Sequence, residues 1–304
     1  MERSRKTQSL ILFTVIFVLI TPFLSTVYAT PGTWTTRDYL GASATHIRDI
    51  DGGNLVGNYS DVSGYHGFVY NGTSWTTLDY QGEFIEIQGI SGNNIVGYHT
   101  VAPGHIQGLL YDGTDWTTLD EMPGARMVYI NGIDGSNIVG RYEDDFPSDY
   151  LGHGFLYDGS DWLTLDAPGA IETRVEGIDG SNLVGVYGDA SGYHGFLYDG
   201  TNWTALDAPG ADWTEIYGID GSNLVGTYGD ASGSHGFLYD GTSWSTLDMP
   251  EAYETWIYGI DGSNLVGSYS DASGTHGFIY EIPEPVTVFL LGFGILLARK
   301  RRIR

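Results

Sequence analysis

Residues 218–248 read G-I-D-G-S-N-L-V-G-T-Y-G-D-A-S-G-S-H-G-F-L-Y-D-G-T-S-W-S-T-L-D, and this stretch decides the fold because it recurs along the chain with little change. Its asparagine returns as Asn54, Asn94, Asn137, Asn182, Asn223 and Asn264, in steps of 40, 43, 45, 41 and 41 residues. Its tryptophan returns as Trp75, Trp116, Trp162, Trp203 and Trp244, in steps of 41, 46, 41 and 41. A fixed period in this range marks a repeat architecture, in which each unit buries its faces only against its neighbours.

Within one period four β-type runs alternate with turn signals. They are Thr214–Asp220, Leu224–Tyr228, His235–Tyr239 and Trp244–Asp248. The Asp-Gly pairs at 220–221 and 240–241 supply positive φ and side-chain-to-backbone hydrogen bonds, the chemistry of tight hairpins. No apolar stripe with a 3.6-residue period separates the runs. The unit is therefore a four-stranded antiparallel meander. His235, Phe237 and Tyr239 alternate with Gly236 and Leu238, so apolar groups occupy both faces and the sheet needs cover on both sides. Sheets of this kind stacked radially make a β-propeller of about 41 residues per blade.

The ends of the repeat array complement each other. The last copy reaches Tyr280 without its tryptophan strand, while an orphan piece, Gly32-Thr33-Trp34-Thr35-Thr36-Arg37-Asp38, precedes the first copy. Placing that piece in the last blade gives six copies of every strand type and removes the exposed edge. The sequence thus predicts an all-β, six-bladed propeller over residues 30–280, closed by an N-terminal strand. An open solenoid is the competing arrangement.

Outside the repeats, residues 1–29 have the form of a signal peptide: Arg3, Arg5 and Lys6, an apolar core from Leu10 to Ile20, and Val27-Tyr28-Ala29 as the cleavage site. An uncleaved anchor is the alternative. With no cysteine in the chain, an exported form would rest on packing and ring closure instead of disulfides. Between residues 30 and 280 there are five arginines, no lysine and 35 acidic residues, a formal charge of −30. Nucleic acid and anionic membranes are poor partners for such a surface. Many of the acids are the turn aspartates, which also serve solubility.

Residues 281–304 carry Pro283-Glu284-Pro285, a mostly apolar run Val286–Ala298, and the basic end with Arg299, Lys300, Arg301 and Arg302. Thirteen residues make a helix of roughly 20 Å, shorter than the roughly 30 Å hydrocarbon core of a membrane. This tail resembles the PEP-CTERM sorting signal. The resemblance implies tethering at the inner membrane of a Gram-negative bacterium by the C-terminal helix, recognition by an exosortase, cleavage near Pro283–Pro285, and transfer to the cell surface or matrix. A tail that stays in the membrane as a plain anchor is the alternative. The repeat itself resembles the HAF-type extracellular repeat, through Gly132-Ile133, Gly177-Ile178, Gly218-Ile219 and Gly259-Ile260, and through His66, His153, His194, His235 and His276 ahead of Gly-Phe. The second copy departs, with Gln107-Gly108-Leu109. That resemblance implies an extracellular address and no particular activity.

Several residue sets invite a functional reading. The five histidines occupy equivalent places in separate blades, so a hydrogen bond to a turn fits them better than convergence on one zinc ion. Glu143, Asp144, Asp145 and Asp149 lie in an enlarged loop of the third copy and offer the oxygen ligands calcium takes; a solvated loop is the default, and no cofactor is required. The Asp-Gly-Thr-x-Trp turns resemble sialidase Asp boxes, yet Asp240 and Gly241 are adjacent where the box places one residue between them. The five arginines are scattered along the sequence and form no evident triad. The repeated tryptophans could stack on sugars or fill the interblade core; Tyr150, Tyr193 and Tyr217 differ between copies and are the better surface candidates for a ligand. No catalytic residue stands out. Taken together, these readings lead to an exported, non-catalytic surface or matrix protein that binds extracellular polysaccharide. A purely structural role and a polysaccharide hydrolase or lyase are the alternatives.

Overall fold

The computed structural model describes residues 32–81, 84–119, 122–144 and 152–283. The signal segment with Ala29, most of the enlarged loop (Asp145, Asp149 and Tyr150) and the tail from Glu284 onward lie outside the described residues. The described residues form 24 strands and no helix.

The strands fall into six meanders. Blade 1 is β2 (Ala44–Asp51), β3 (Asn54–Asp61), β4 (Gly64–Tyr70) and β5 (Trp75–Leu78). Blade 2 is β6 (Ile85–Ser91), β7 (Asn94–Ala102), β8 (His105–Tyr111) and β9 (Trp116–Thr118). Blade 3 is β10 (Ala125–Asp134), β11 (Asn137–Asp144), β12 (Gly152–Tyr157) and β13 (Trp162–Leu165). Blade 4 is β14 (Glu172–Asp179), β15 (Asn182–Asp189), β16 (Gly192–Tyr198) and β17 (Trp203–Ala205). Blade 5 is β18 (Trp213–Asp220), β19 (Asn223–Asp230), β20 (Gly233–Tyr239) and β21 (Trp244–Thr246). Blade 6 takes β22 (Glu254–Asp261), β23 (Asn264–Asp271) and β24 (Gly274–Glu281) from the end of the chain and β1 (Thr33–Thr36) from its beginning. β1 pairs antiparallel with β24, Trp34 opposite Tyr280, so the expected closing strand is present. Isolated parallel bridges, Ala44 to Thr275 and Met127 to Ile106, link neighbouring blades. Together these sheets form a six-bladed β-propeller.

The core lies between blades, not within them. Six clusters of buried side chains each combine two neighbours: Val184 and Leu197 of blade 4 meet Ile216 and Phe237 of blade 5, and Val266 and Ile279 of blade 6 meet Ile47 and Phe68 of blade 1. Phe68, Phe155, Phe196, Phe237 and Phe278 on the third strands are at most 1% exposed, each contributing about 1.5–3 kcal/mol by burial. The repeated tryptophans are partly buried against them. Trp244 packs on Phe237 and Tyr239 with centroids 4.8 Å away, and Trp34 packs on Phe278 and Tyr280 at 4.9 and 4.6 Å. The innermost strands approach closely: a Cβ on Gly218 would lie 2.8 Å from the Tyr258 carbonyl oxygen of the next blade. Glycine permits that spacing, and five of the six blades hold it there.

A ring of hydrogen bonds runs around the end where the first hairpin turns sit. Asp134 accepts the Gly180 amide (2.8 Å), Asp179 that of Gly221 (2.7 Å), and Asp220 that of Gly262 (2.7 Å). Asp261 accepts Gly52 (2.9 Å), Asp51 accepts Gly92, and Ser91 accepts Gly135 (3.0 Å). Every blade therefore reaches to the next, and the sixth reaches back to the first.

Deleting residues 32–38 bares the edge of β24 and removes the Trp34 packing. The truncated domain is expected to melt well below the intact one or to oligomerise, and Trp34→Ala alone to cost about 3–5 kcal/mol, roughly 10 °C. Unchanged melting with a monomeric truncation would contradict ring closure.

Candidate functional site

On the far rim the repeated histidines tie turn and last strand together within their own blades. In four blades a serine and an aspartate flank the imidazole. His194 Nε2 lies 2.9 Å from Ser191 Oγ and its Nδ1 lies 2.8 Å from Asp207; His235 makes the same contacts with Ser232 (2.9 Å) and Asp248 (2.8 Å). His66 sits between Ser63 and Asp79, both at 3.0 Å, and His276 between Ser273 and Asp38, both at 2.8 Å. His153 bonds Asp166 at 2.9 Å. The distances resemble a Ser-His-Asp triad, but the proton placement differs. Each serine hydroxyl is donated to the turn aspartate, Asp61, Asp189, Asp230 or Asp271, so the imidazole faces oxygen acceptors at both nitrogens. A general base must instead take the serine proton. The arrangement clamps the turn after the second strand to the end of the fourth, and Asp38 supplies that end in the closing blade. Among the described residues no three His, Asp or Glu side chains gather as metal ligands. Of the calcium candidates, Glu143 and Asp144 lie on β11, where Glu143 is 3.9 Å from Arg141.

A different set of residues converges on the propeller axis. The innermost strands share the pattern x-[IV]-x-G-I-D, with Asp49 in place of the glycine in blade 1 and Ser91 in place of the aspartate in blade 2, and the two variable positions, two residues apart, share one face. The first holds His46, Glu86, Tyr129, Arg174, Glu215 and Trp256; the second holds Arg48, Gln88, Asn131, Glu176, Tyr217 and Tyr258. All six of the second set line a cavity of about 210 Å³ on the axis, together with Tyr129, Arg174, and Tyr98 and Arg141 from the second strands. Its floor includes Ile133, Ile178, Ile219 and Ile260, which also line the opposite mouth beside the aspartate ring.

The wall is held by mutual contacts. The Arg48 guanidinium lies 4.5 Å from the Tyr258 ring centroid and that of Arg141 lies 4.1 Å from the Tyr129 ring. Arg174 bonds Glu215 at 3.2 Å, and Tyr217 donates to the same carboxylate at 2.6 Å. The Nε atoms of Arg48 and Arg174 are buried without a hydrogen-bond partner. Burial raises the Glu176 carboxyl, with Arg174 opposing, and burial together with Glu215 holds the Tyr217 phenol well above its ordinary value. Asp49 replaces the glycine of the other five blades. It accepts the Ile50 and Ile90 amides at 2.8 and 2.9 Å, and burial nevertheless pushes its carboxyl up to about 7.

Tyr217 is thus a wall of the axial cavity, not the surface residue expected from the sequence. Tyr193 is 45% exposed with Arg174 5.5 Å from its ring. The scattered arginines are scattered only in sequence: three of the five, Arg48, Arg141 and Arg174, share the cavity. Aligning the repeats and asking which positions vary would have found most of the wall.

No family model and no curated protein matches the chain. Solved structures do. The SapL1 lectin, in complex with α-methyl fucoside, is 14% identical with a TM-score of 0.55, over 81% of this chain and 98% of that one. TolB from Acinetobacter baumannii is 13% identical at 0.52, over 75% of this chain and 63% of that one. A putative TolB from Agrobacterium tumefaciens is 15% identical at 0.52, over 66% and 74%. The likeness is one of fold.

Two pH dependences follow. Asp207 raises His194; at His235 burial pulls down, but Asp248 and Asp230 outweigh it. A raised histidine stabilises fully below its ordinary 6.5 and loses that contribution as pH climbs through the folded value. Their partners Asp189 and Asp230 are lowered by the serine hydrogen bonds, so their contribution fades as pH falls below the ordinary 3.8. The double variant His194→Gln/His235→Gln should lose less melting temperature between pH 6 and 8 than the parent; an equal loss would contradict the clamp. Asp49, raised, destabilises progressively from pH 4 through about 7. Asp49→Gly should flatten the melting profile over that range, and an unchanged slope would show that Asp49 is not the source.

Proposed function

We propose that this is an exported, surface-sorted propeller that binds extracellular polysaccharide through its axial cavity without acting on it chemically. The observation that carries the reading is the concentration of the repeat's variation on the axis. Repeated residues build the blades, and the side chains freed from that duty are tyrosines, arginines, a glutamine, an asparagine and a glutamate. Aromatic faces stack on the apolar face of a sugar ring, and planar amide and guanidinium groups bond its hydroxyls. SapL1, on the same fold, holds a fucoside. Export and sorting rest on the segment ending at Ala29 and on the tail with Pro283, Glu284, Pro285 and its basic end, which resemble a signal peptide and a PEP-CTERM signal.

A glycan array probed with the full chain should show selective binding that Tyr258→Ala weakens at least tenfold. Trp244→Ala should lower the melting temperature without changing which glycans bind. An array with no binder would remove the polysaccharide reading. Reducing ends released from a bound polymer would overturn the non-catalytic part.

A further inference from the structure

We propose that the sugar taken by the axial cavity is acidic, a uronic acid whose carboxylate sits among Arg48, Arg141 and Arg174; this rests on the carbohydrate reading and names its substrate class. The domain has five arginines against 35 acids, yet three of those arginines line one cavity, from β2, β11 and β14 in three different blades. Random placement on so acidic a body would not spend its few cations there.

The donors are only partly spent: Arg174 gives one N–H to Glu215 at 3.2 Å, and its Nε stands 4.0 Å from Glu172. Glu86 lies 4.0 Å from Arg48 and Glu143 lies 3.9 Å from Arg141, beyond hydrogen-bond range. Arg48 and Arg174 each keep a buried Nε–H without an acceptor. Tyr258 and Tyr129 cover guanidinium faces of Arg48 and Arg141, which leaves in-plane N–H edges of the kind that bind a carboxylate in a fork.

Charge and size narrow the choice. The lining carries three arginines and two carboxyl groups, Asp49 and Glu176, both displaced toward protonation by burial. Glu86, Glu143, Glu172 and Glu215 each stand within 4.0 Å of one of the three guanidiniums, so the cavity gathers scarce cations without a large positive excess. A monoanion suits it better than a densely charged polyanion. A volume of about 210 Å³ is below the roughly 300 Å³ at which drug-sized pockets begin, so one residue at a chain end or branch enters, not an internal run.

The test uses the full chain with oligogalacturonate and oligoglucuronate, each beside its carboxyl-reduced counterpart. Binding of at least one acidic oligomer, weakened tenfold or more by carboxyl reduction, is expected. Arg141→Gln and Arg174→Gln should each weaken it at least tenfold. Should a variant fail to fold, displacement of the acidic oligomer from the unaltered protein by free galacturonate or glucuronate, and not by galactose or glucose, gives the same reading. Equal binding of acidic and reduced forms, or binding of neutral glycans alone on the array, overturns the acidic assignment and leaves the carbohydrate reading standing. No binding of any glycan overturns both.

Discussion

Ring closure is the constraint on which the rest of the molecule depends. A four-stranded meander has two apolar faces and a free outer edge, so no blade is stable alone. The chain meets this in two ways at once. β1 fills the place that the last copy lacks, and six turn contacts, from Asp51–Gly92 around to Asp261–Gly52, tie each blade to the next. Carboxylates this close would repel each other in water. Here each of the five aspartates receives a backbone amide from its neighbour's turn, which offsets part of that repulsion and fixes the angular step between blades. The isoleucines just inside the ring depend on the same step, since Ile133, Ile178, Ile219 and Ile260 meet only if the circle closes.

The division between repeated and variable residues follows from this geometry. The phenylalanine of the third strand, the tryptophan of the fourth and the glycines of the inner strands each contact a neighbouring strand or blade at a fixed spacing, so a change at one is felt across an interface. Gly226 shows the tolerance: a Cβ there would lie 2.1 Å from the Glu215 carbonyl oxygen. Side chains aimed at the axis meet only one another across a narrow space. Their constraint is collective, and six different residues can share it.

Much of the fold was legible in the sequence. The period gave the blades, the Asp-Gly pairs gave the hairpins, and the mismatch of Gly32–Asp38 with the end at Tyr280 gave the closure, all from local signals whose meaning does not depend on distant contacts. The fourth strand of blade 5 ends at Thr246 in place of Asp248, and Asp248 instead binds His235 and the Gly236 amide. The cavity was not legible repeat by repeat. Arg48 holds the second variable position of its strand, Arg174 the first, and Arg141 belongs to a second strand altogether, so no shared spacing joins them. Their convergence exists only once the strands stand around a common axis. Tyr217 was noticed because it varies between copies, but its direction was not, since alternation alone does not say which face looks inward.

Pseudo-symmetry also decides how many sites such a ring can offer. Repeated tryptophans on a polymer-binding protein suggest six equivalent grooves and a gain by avidity. Here the tryptophan rings are engaged by the phenylalanine and tyrosine of their own blades, as Trp162 is by Phe155 at 4.9 Å and Tyr157 at 4.6 Å. What repeats is spent on structure. The variable positions of the innermost strands face one axis, and there is one axis per ring. On the binding proposed above, such a ring offers one asymmetric site whose selectivity would come from unlike groups set around it, Arg48 opposite no second Arg48, Glu176 opposite no second Glu176. Strong attachment to a polymer then depends on how many copies of the chain are displayed together, which is the circumstance that sorting to a surface would create.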